Sequence, residues 1–149
     1  MESNSADFKS MRIIFFALLA GVLLFCAVTV FLITRDGGEV QTLLCSTTND
    51  LLAMGGYVLA MIFLSRFIDG MWQKQIPTVL KVGRSPLSHY RSNVIIRLAL
   101  LEGGALLTVV MALVTRNPQL LIATALAVGA MWLAQPKEEE FLERYDQRA

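Results

Sequence analysis

Four stretches of this chain are almost free of charge, and each approaches the length of a helix that crosses a bilayer. The first, Ile13 to Ile33, holds no charged residue, and the second, Leu51 to Ile68, holds only Arg66 near its end. The third, Val94 to Thr115, contains Arg97 and Glu102, and the fourth runs uncharged from Pro118 to Ala134. A hydrocarbon core of about 30 Å asks for about 20 mostly apolar residues, because a helix rises about 1.5 Å per residue. The pattern therefore predicts an all-α membrane protein, a four-transmembrane-helix bundle formed by residues 1–149 as a single domain. Lys9 and Arg12 before the first stretch imitate a secretory signal. That stretch is too long for a signal core, however, and Thr34-Arg35-Asp36-Gly37 offers no small-x-small cleavage site. It reads as a retained span.

Breaker and capping residues set the expected connections. Asn49 or Asp50 is placed to cap the second span, and Asn117 with Pro118 reads as N-cap and first helical residue of the fourth. Only Arg116 and Asn117 then join spans three and four, which predicts a tight antiparallel hairpin. Trp72, Pro77, Gly83 and Pro86 fall in the link at 69–93, and its prolines and glycine are expected to divide it into short pieces. Ser85-Pro86 looks like a cap and first turn, so the third helix is expected to begin near Pro86. In the tail, 135–149, Glu138, Glu139 and Glu140 would occupy a first helical turn, where negative charge suits the dipole. Phe141, Leu142 and Tyr145 give the tail a modest apolar side. An acidic tail beside a basic link leaves two readings open, a docked tail and two solvated segments.

Composition agrees with lipid as solvent. Of 149 residues, 55% are hydrophobic and 17% charged, against about 25% charged in a typical soluble domain. The net charge of +1 argues against a nucleic-acid partner. Orientation follows from where the basic residues lie. Lys9, Arg12, Arg66, Lys74, Lys81, Arg84, Arg91, Arg97, Lys137, Arg144 and Arg148 fall on one side, and only Arg35 and Arg116 on the other. Cytoplasmic loops are enriched in Lys and Arg, so both termini and the 69–93 link are expected in the cytoplasm. Cys26 and Cys45 form no CxxC pair and, at different depths, no disulfide; Cys26 reads as a small apolar filler. His89 reads as an interfacial side chain, and one histidine cannot build a bis-histidine haem site. No metal site or cofactor is implied.

Lipid removes the usual hydrophobic drive between helices, so small residues mark the expected contact faces. Ala123, Ala127, Ala130 and Ala134 form such a ridge on span four, and Gly104, Thr108, Ala112 and Thr115 another on span three. Ala53, Gly56 and Ala60 on span two, with Ala17 and Gly21 on span one, complete the set. Trp72, Tyr90, Arg91, Arg97 and Arg66 are expected to act as interfacial anchors. Lys81, Arg84 and Arg91 are also candidates for headgroup contact.

Glu102 carries the one functional signal. It lies eight residues into its span, about 12 Å from Val94 and near mid-bilayer. An intramembrane carboxylate costs about 2.5–3.5 kcal/mol on insertion scales, which makes it a site hypothesis by default. Arg97 is five residues away, about 140° around the helix, and cannot face it. Tyr57 and Thr124 lie at matching depths as candidate partners, whereas Arg66 lies nearer the level of Arg97. Three roles are open: a buried hydrogen-bonding group that orients helices, a reversible proton or cation site, and a contact with another subunit.

Ala99-Leu100-Leu101-Glu102-Gly103-Gly104-Ala105-Leu106, followed by Val109 to Val114, resembles the ion-binding helix of ATP synthase proteolipid c subunits. That resemblance covers one span and implies a proton or cation site at Glu102; the preceding span has Gly55-Gly56 where that family repeats Gly-x-Gly. Over most of its length the chain resembles a group of uncharacterised small bacterial four-span inner-membrane proteins. The shared features are Tyr90-Arg91-Ser92, Ile95-Ile96-Arg97 and Ala99-Leu100-Leu101-Glu102-Gly103, with Pro136-Lys137-Glu138 opening the tail. This resemblance implies the fold and the inner membrane, and no activity. The expectation is a structural or interaction subunit whose partners are the bilayer and other membrane subunits or further copies of itself. The alternative is a proton- or cation-translocating subunit using Glu102. No nucleophile–base pair is visible, so an enzyme is not expected.

Overall fold

The computed structural model describes residues 2–35, 47–83 and 85–145, with 2–7, 47–48 and 79–80 as backbone alone. Cys45, Arg84, Arg148 and most of the 34–50 loop lie outside these residues. Among them, every regular element is helical: α1 (Glu2–Arg35), α2 (Thr47–Lys81), α3 (Pro86–Thr115), α4 (Leu121–Leu133) and α5 (Glu138–Tyr145). A single 3-10 turn, Pro118–Leu120, leads into α4.

Among the described residues, three helices are long and apolar enough to cross a membrane, over Phe8–Arg35, Asn49–Thr78 and Pro86–Thr115. Pro118–Leu133 meets that test only together with Glu138–Tyr145, from which it is bent by 59°. The expected four spans are thus three or four by length and composition. The cause is length: 13 helical residues and one 3-10 turn reach only about 25 Å.

α3 is the axis of the bundle and packs on α1, α2 and α4. It runs parallel to α1, since Phe8 and Tyr90, both near helix starts, have ring centroids 6.1 Å apart. It runs antiparallel to α2 and α4. The buried residues of α1, Phe8, Met11, Phe15, Leu19, Val22, Thr29 and Ile33, recur at steps of three, four and seven, one helical face. The opposite faces are apolar too, with Leu24 71% and Phe63 72% exposed. A soluble monomer rarely leaves such surface to water.

The depth of the bundle is zoned by residue size. Near the end where α2 meets α3, hereafter the polar end, Phe8, Met11, Phe15, Ile76, Tyr90 and Phe141 fill the core. Further in, Val22, Val58, Ala105, Ala123 and Ala127 make a second, smaller core. Small side chains let the helices approach: a Cβ on Gly104 would sit 3.4 Å from the Met61 Cβ. Thr108 and Thr124, buried in the same zone, share a 2.6 Å hydrogen bond between α3 and α4.

The connections differ from the sequence reading in instructive ways. α3 does begin at Pro86 with Ser85 at the N-cap position, but Ser85 makes no side-chain cap bond. The α3–α4 hairpin is as tight as expected. Arg116 takes a left-handed φ of 52° and Asn117 N–H reaches back to the Ala112 carbonyl at 3.0 Å. Asn117 then accepts from Gln119 N–H at 3.1 Å, although the turn it caps is 3-10. α2 starts at Thr47, which puts Asp50 in its first turn instead of at the cap. The largest correction concerns the 69–93 link. It is not broken at Pro77, because α2 runs unbroken through that residue to Lys81 and the connection shrinks to 82–85. Pro77 has no N–H to donate one turn back. The buried Asp69 and Ile76, anchored on other helices, hold the helix on course beyond the apolar stretch.

The close approach at Gly104 has a measurable consequence. Gly104→Leu is expected to lower the unfolding free energy in detergent by about 1–3 kcal/mol through overpacking against α2. At exposed Gly103, where nothing lies within 4 Å of an added Cβ, the same change should stay within about 0.5 kcal/mol. Equal losses at both positions would contradict the packing described.

Candidate functional site at the polar end

A carboxylate buried among apolar helices has to be compensated where it stands. Asp69 is that group. Its side chain is 8% exposed, and the residue directly follows Ile68, the last of the apolar stretch of α2. Asp69 Oδ1 accepts from Asn93 Nδ2 at 2.7 Å, Arg97 Nη1 at 3.3 Å and Arg144 Nη1 at 2.8 Å. Its Oδ2 accepts from Arg144 Nη2 at 3.1 Å and from Gln73 Nε2 at 3.2 Å. The Arg144 contact is bidentate, the geometry in which guanidinium and carboxylate bind most strongly.

Local periodicity aligns these groups. Gln73 is one turn beyond Asp69 on α2, Asn93 and Arg97 are one turn apart on α3, and Glu140 and Arg144 are one turn apart on α5. Glu140 pairs with Arg144 along α5 and lies 3.7 Å from Arg97 Nη1. Two carboxylates and two guanidiniums meet, so the formal charge of the cluster cancels. Burial works against the charge on Arg144. The Asp69 and Glu140 carboxylates outweigh that and hold its guanidinium above the ordinary pKa.

Around the ionic cluster lies an aromatic one. The Tyr90 hydroxyl lies 3.2 Å from the Lys137 carbonyl and 3.3 Å from Glu140 Oε2, two acceptors for its one proton, and so fixes the start of α5. Phe141 packs edge-on against Tyr90 and Phe8, and Tyr145 stacks on Phe141. Burial pushes the Tyr145 hydroxyl up to about 12, so it stays protonated at neutral pH. It meets His89 Nδ1 at 2.6 Å, and His89 in turn lies against Trp72 with ring centroids 4.7 Å apart. α5 is therefore docked on α2 and α3, not solvated. Of the three glutamates that open it, only Glu140 joins the cluster, and Glu138 and Glu139 are exposed.

The residues singled out in the sequence are dispersed. Glu102 is half-buried on the flank of α3, beside the buried Leu98 and Ala105. Among the described residues it makes no hydrogen bond or ion pair. Thr124 is turned to Thr108 instead, and Tyr57 is half-buried on α2 without a bond to Glu102. Of the expected anchors, Arg66 and Arg91 are exposed and Trp72 is half-buried. Tyr90 and Arg97 are only 1% and 4% exposed, and so lie inside the protein instead of at its lipid-facing rim. They are drawn inward because α5 covers them. Ala123, Ala127, Gly104, Thr108 and Ala112 are buried and Ala130 is half-buried, whereas Ala53, Gly56 and Ala60 face outward.

Sequence reasoning missed Asp69, Asn93 and Arg144. A signal existed: from the true hairpin at 82–85, Asp69 lies 12 residues before Lys81 and Arg97 lies 11 after Pro86. The two are therefore level on adjacent antiparallel helices. Treating Pro77 as a break concealed that register. Comparison of the chain with models of protein families, with curated proteins and with solved structures gives no match.

Removing the shared carboxylate should be costly. Asp69→Asn leaves Arg97 and Arg144 with Glu140 as their one carboxylate, an uncompensated positive charge at a buried cluster, and is expected to lower stability in detergent by about 3–5 kcal/mol. Arg144→Ala should cost less but release α5, so that limited proteolysis cuts the tail faster than in the parent. A parent-like melting curve for Asp69→Asn would refute the role given to it.

Proposed function

We propose that this chain is a multi-pass protein of the bacterial inner membrane that serves as a structural or interaction subunit of a membrane assembly. In this reading α4, entered through its 3-10 turn, is the fourth crossing, and α5 lies outside the bilayer. Both termini are cytoplasmic. Lys9, Arg12, Lys74, Lys81, Arg91 and Lys137, all exposed, gather at the polar end, whereas Arg35 and Arg116 belong to the other. That asymmetry favours a cytoplasmic polar end.

The observation that carries the interaction reading is Glu102. It lies about 7.5 Å deeper than Arg97 along α3, at five residues of 1.5 Å each. It stands at the edge of the buried face and has no partner among the described residues. A polar group at that depth gains from an interhelical hydrogen bond, and the bundle offers none. A neighbouring helix from another chain would supply it. The outward Ala53, Gly56 and Ala60 give α2 a surface that such a neighbour could approach closely.

The rival reading is a proton- or cation-translocating subunit using the same carboxylate. Its support is the same lack of a fixed partner, which leaves Glu102 free to exchange a proton. Native mass spectrometry in mild detergent separates the two. The interaction reading expects Glu102→Leu to weaken assembly by about 3- to 20-fold, the range set by intramembrane hydrogen bonds of about 0.6–1.7 kcal/mol. Glu102→Gln, which still hydrogen-bonds, should assemble like the parent. A monomeric parent, or equal assembly of the Leu variant, would sink it. Labelling of Glu102 by a hydrophobic carbodiimide, together with proton flux lost in Glu102→Gln, would establish the rival.

A further inference from the structure

A lateral groove of about 380 Å³ opens between α2 and α4, with α3 behind it. Its walls are largely apolar, from Ile62, Leu101, Leu126 and Gly129, and three polar side chains enter it: Ser65, Arg66 and Arg97. Along α4 the groove runs from Ala134, level with the polar end, to Leu126, about 12 Å deeper. Its basic groups are therefore near the headgroup level and its apolar trough points toward the middle of the bundle. That polarity is the polarity of a phospholipid in a leaflet.

The two arginines are not equivalent. Arg97 spends Nη1 on Asp69 and Glu140, but its Nε is buried without a hydrogen-bond partner. A buried N–H without an acceptor is rare in folded proteins. Arg66 is exposed and has no carboxylate beside it among the described residues. The cluster around Asp69 is formally neutral, so Arg66 is excess positive charge at the groove. An anion there would meet the free guanidinium of Arg66 beside the Arg97 side chain, which also lines the groove.

We propose that this groove holds an anionic phospholipid, with its phosphate on Arg66 and Arg97 and one acyl chain lying along α4 to Leu126. Arg66 acts by charge, since a basic side chain at the surface attracts anionic headgroups. Gly129 matters because it leaves the trough open: nothing lies within 4 Å of a Cβ placed on it. A larger side chain there would occupy the path of the acyl chain without disturbing the fold.

The test uses the full chain reconstituted in nanodiscs of equimolar phosphatidylcholine and phosphatidylglycerol. The chain is then released into mild detergent, and retained lipid is read by native mass spectrometry. The parent should keep phosphatidylglycerol in preference to phosphatidylcholine. Arg66→Ala should reduce that retention about fivefold, the factor for one basic residue at an anionic headgroup, and Arg66→Lys should retain most of it. Gly129→Leu should also lose the lipid while its lipid-free melting temperature matches the parent. Equal retention of both lipids by the parent overturns the proposal, as does retention of phosphatidylglycerol in either Arg66→Ala or Gly129→Leu. Protection of the parent by inorganic phosphate that survives Gly129→Leu would mean an anion without an acyl chain. Loss of a dimer in Gly129→Leu with lipid retained would mean that the groove seats a second copy; both results overturn it.

Discussion

A charge that leaves water must bring its compensation with it, and at the polar end of this bundle one carboxylate meets that condition for three helices at once. Asp69 belongs to α2, takes Asn93 and Arg97 from α3, and binds Arg144 of α5 through both oxygens. Two guanidiniums on one carboxylate would leave a buried positive charge. Glu140 removes it, because it arrives on the same helix as Arg144, one turn away. α5 thus docks as an internally neutral pair and adds contacts without adding net charge. The alternative, an apolar tail packed on Tyr90 and Phe8 alone, would leave Arg97 facing Asp69 with its remaining N–H groups exposed to a half-apolar surface.

This constraint also explains the reach of α2 and α3 beyond their apolar stretches. Asp69, Trp72 and Ile76 continue the inward stripe of α2 one to two turns past the point where hydropathy falls. Tyr90 and Asn93 do the same at the start of α3. Large rings close the bundle there, whereas small residues such as Gly104, Ala123 and Ala127 let the helices meet further in. The bundle is therefore clamped by directional bonds at one end and by close backbone approach along its depth. These are the two means of association that remain for helices in a lipid solvent, where the hydrophobic drive is lost.

The helical class, the position of each apolar stretch, the start of α3 and the two-residue hairpin at Arg116–Asn117 were all legible, because each follows from local chemistry. Hydropathy needs a window of one helix, and a cap needs a few neighbouring residues. The end of α2 was not legible by the same means. Pro77 and Asp69 both read as the end of a helix until Asp69 is known to be hydrogen-bonded by Asn93, 24 positions away, and neutralised by arginines 28 and 75 positions away. The cluster was hidden for the same reason. Along its own helix Arg97 has only Glu102 as a nearby carboxylate, at an angle that forbids contact, and its true partner stands at the level position on α2. The acidic start of α5 does not reveal its docking, since the residue that fastens it most firmly, Arg144, is basic.

The contrast between Asp69 and Glu102 is the more general point. Both are carboxylates within largely apolar surroundings, and the chain treats them oppositely. Asp69 is surrounded by donors from three helices, the arrangement expected when a charge is used to hold one chain together. Glu102, deeper and on the flank of α3, is met by none among the described residues; Thr124 of α4 is level with Thr108, six residues or about 9 Å further along α3, and bonds it instead. A carboxylate kept for internal stability would be placed where Thr108 is, facing α4. Standing beside that face, it is poorly placed to orient the helices of its own bundle. In the interaction reading proposed above, that placement suits a group that arrives from outside.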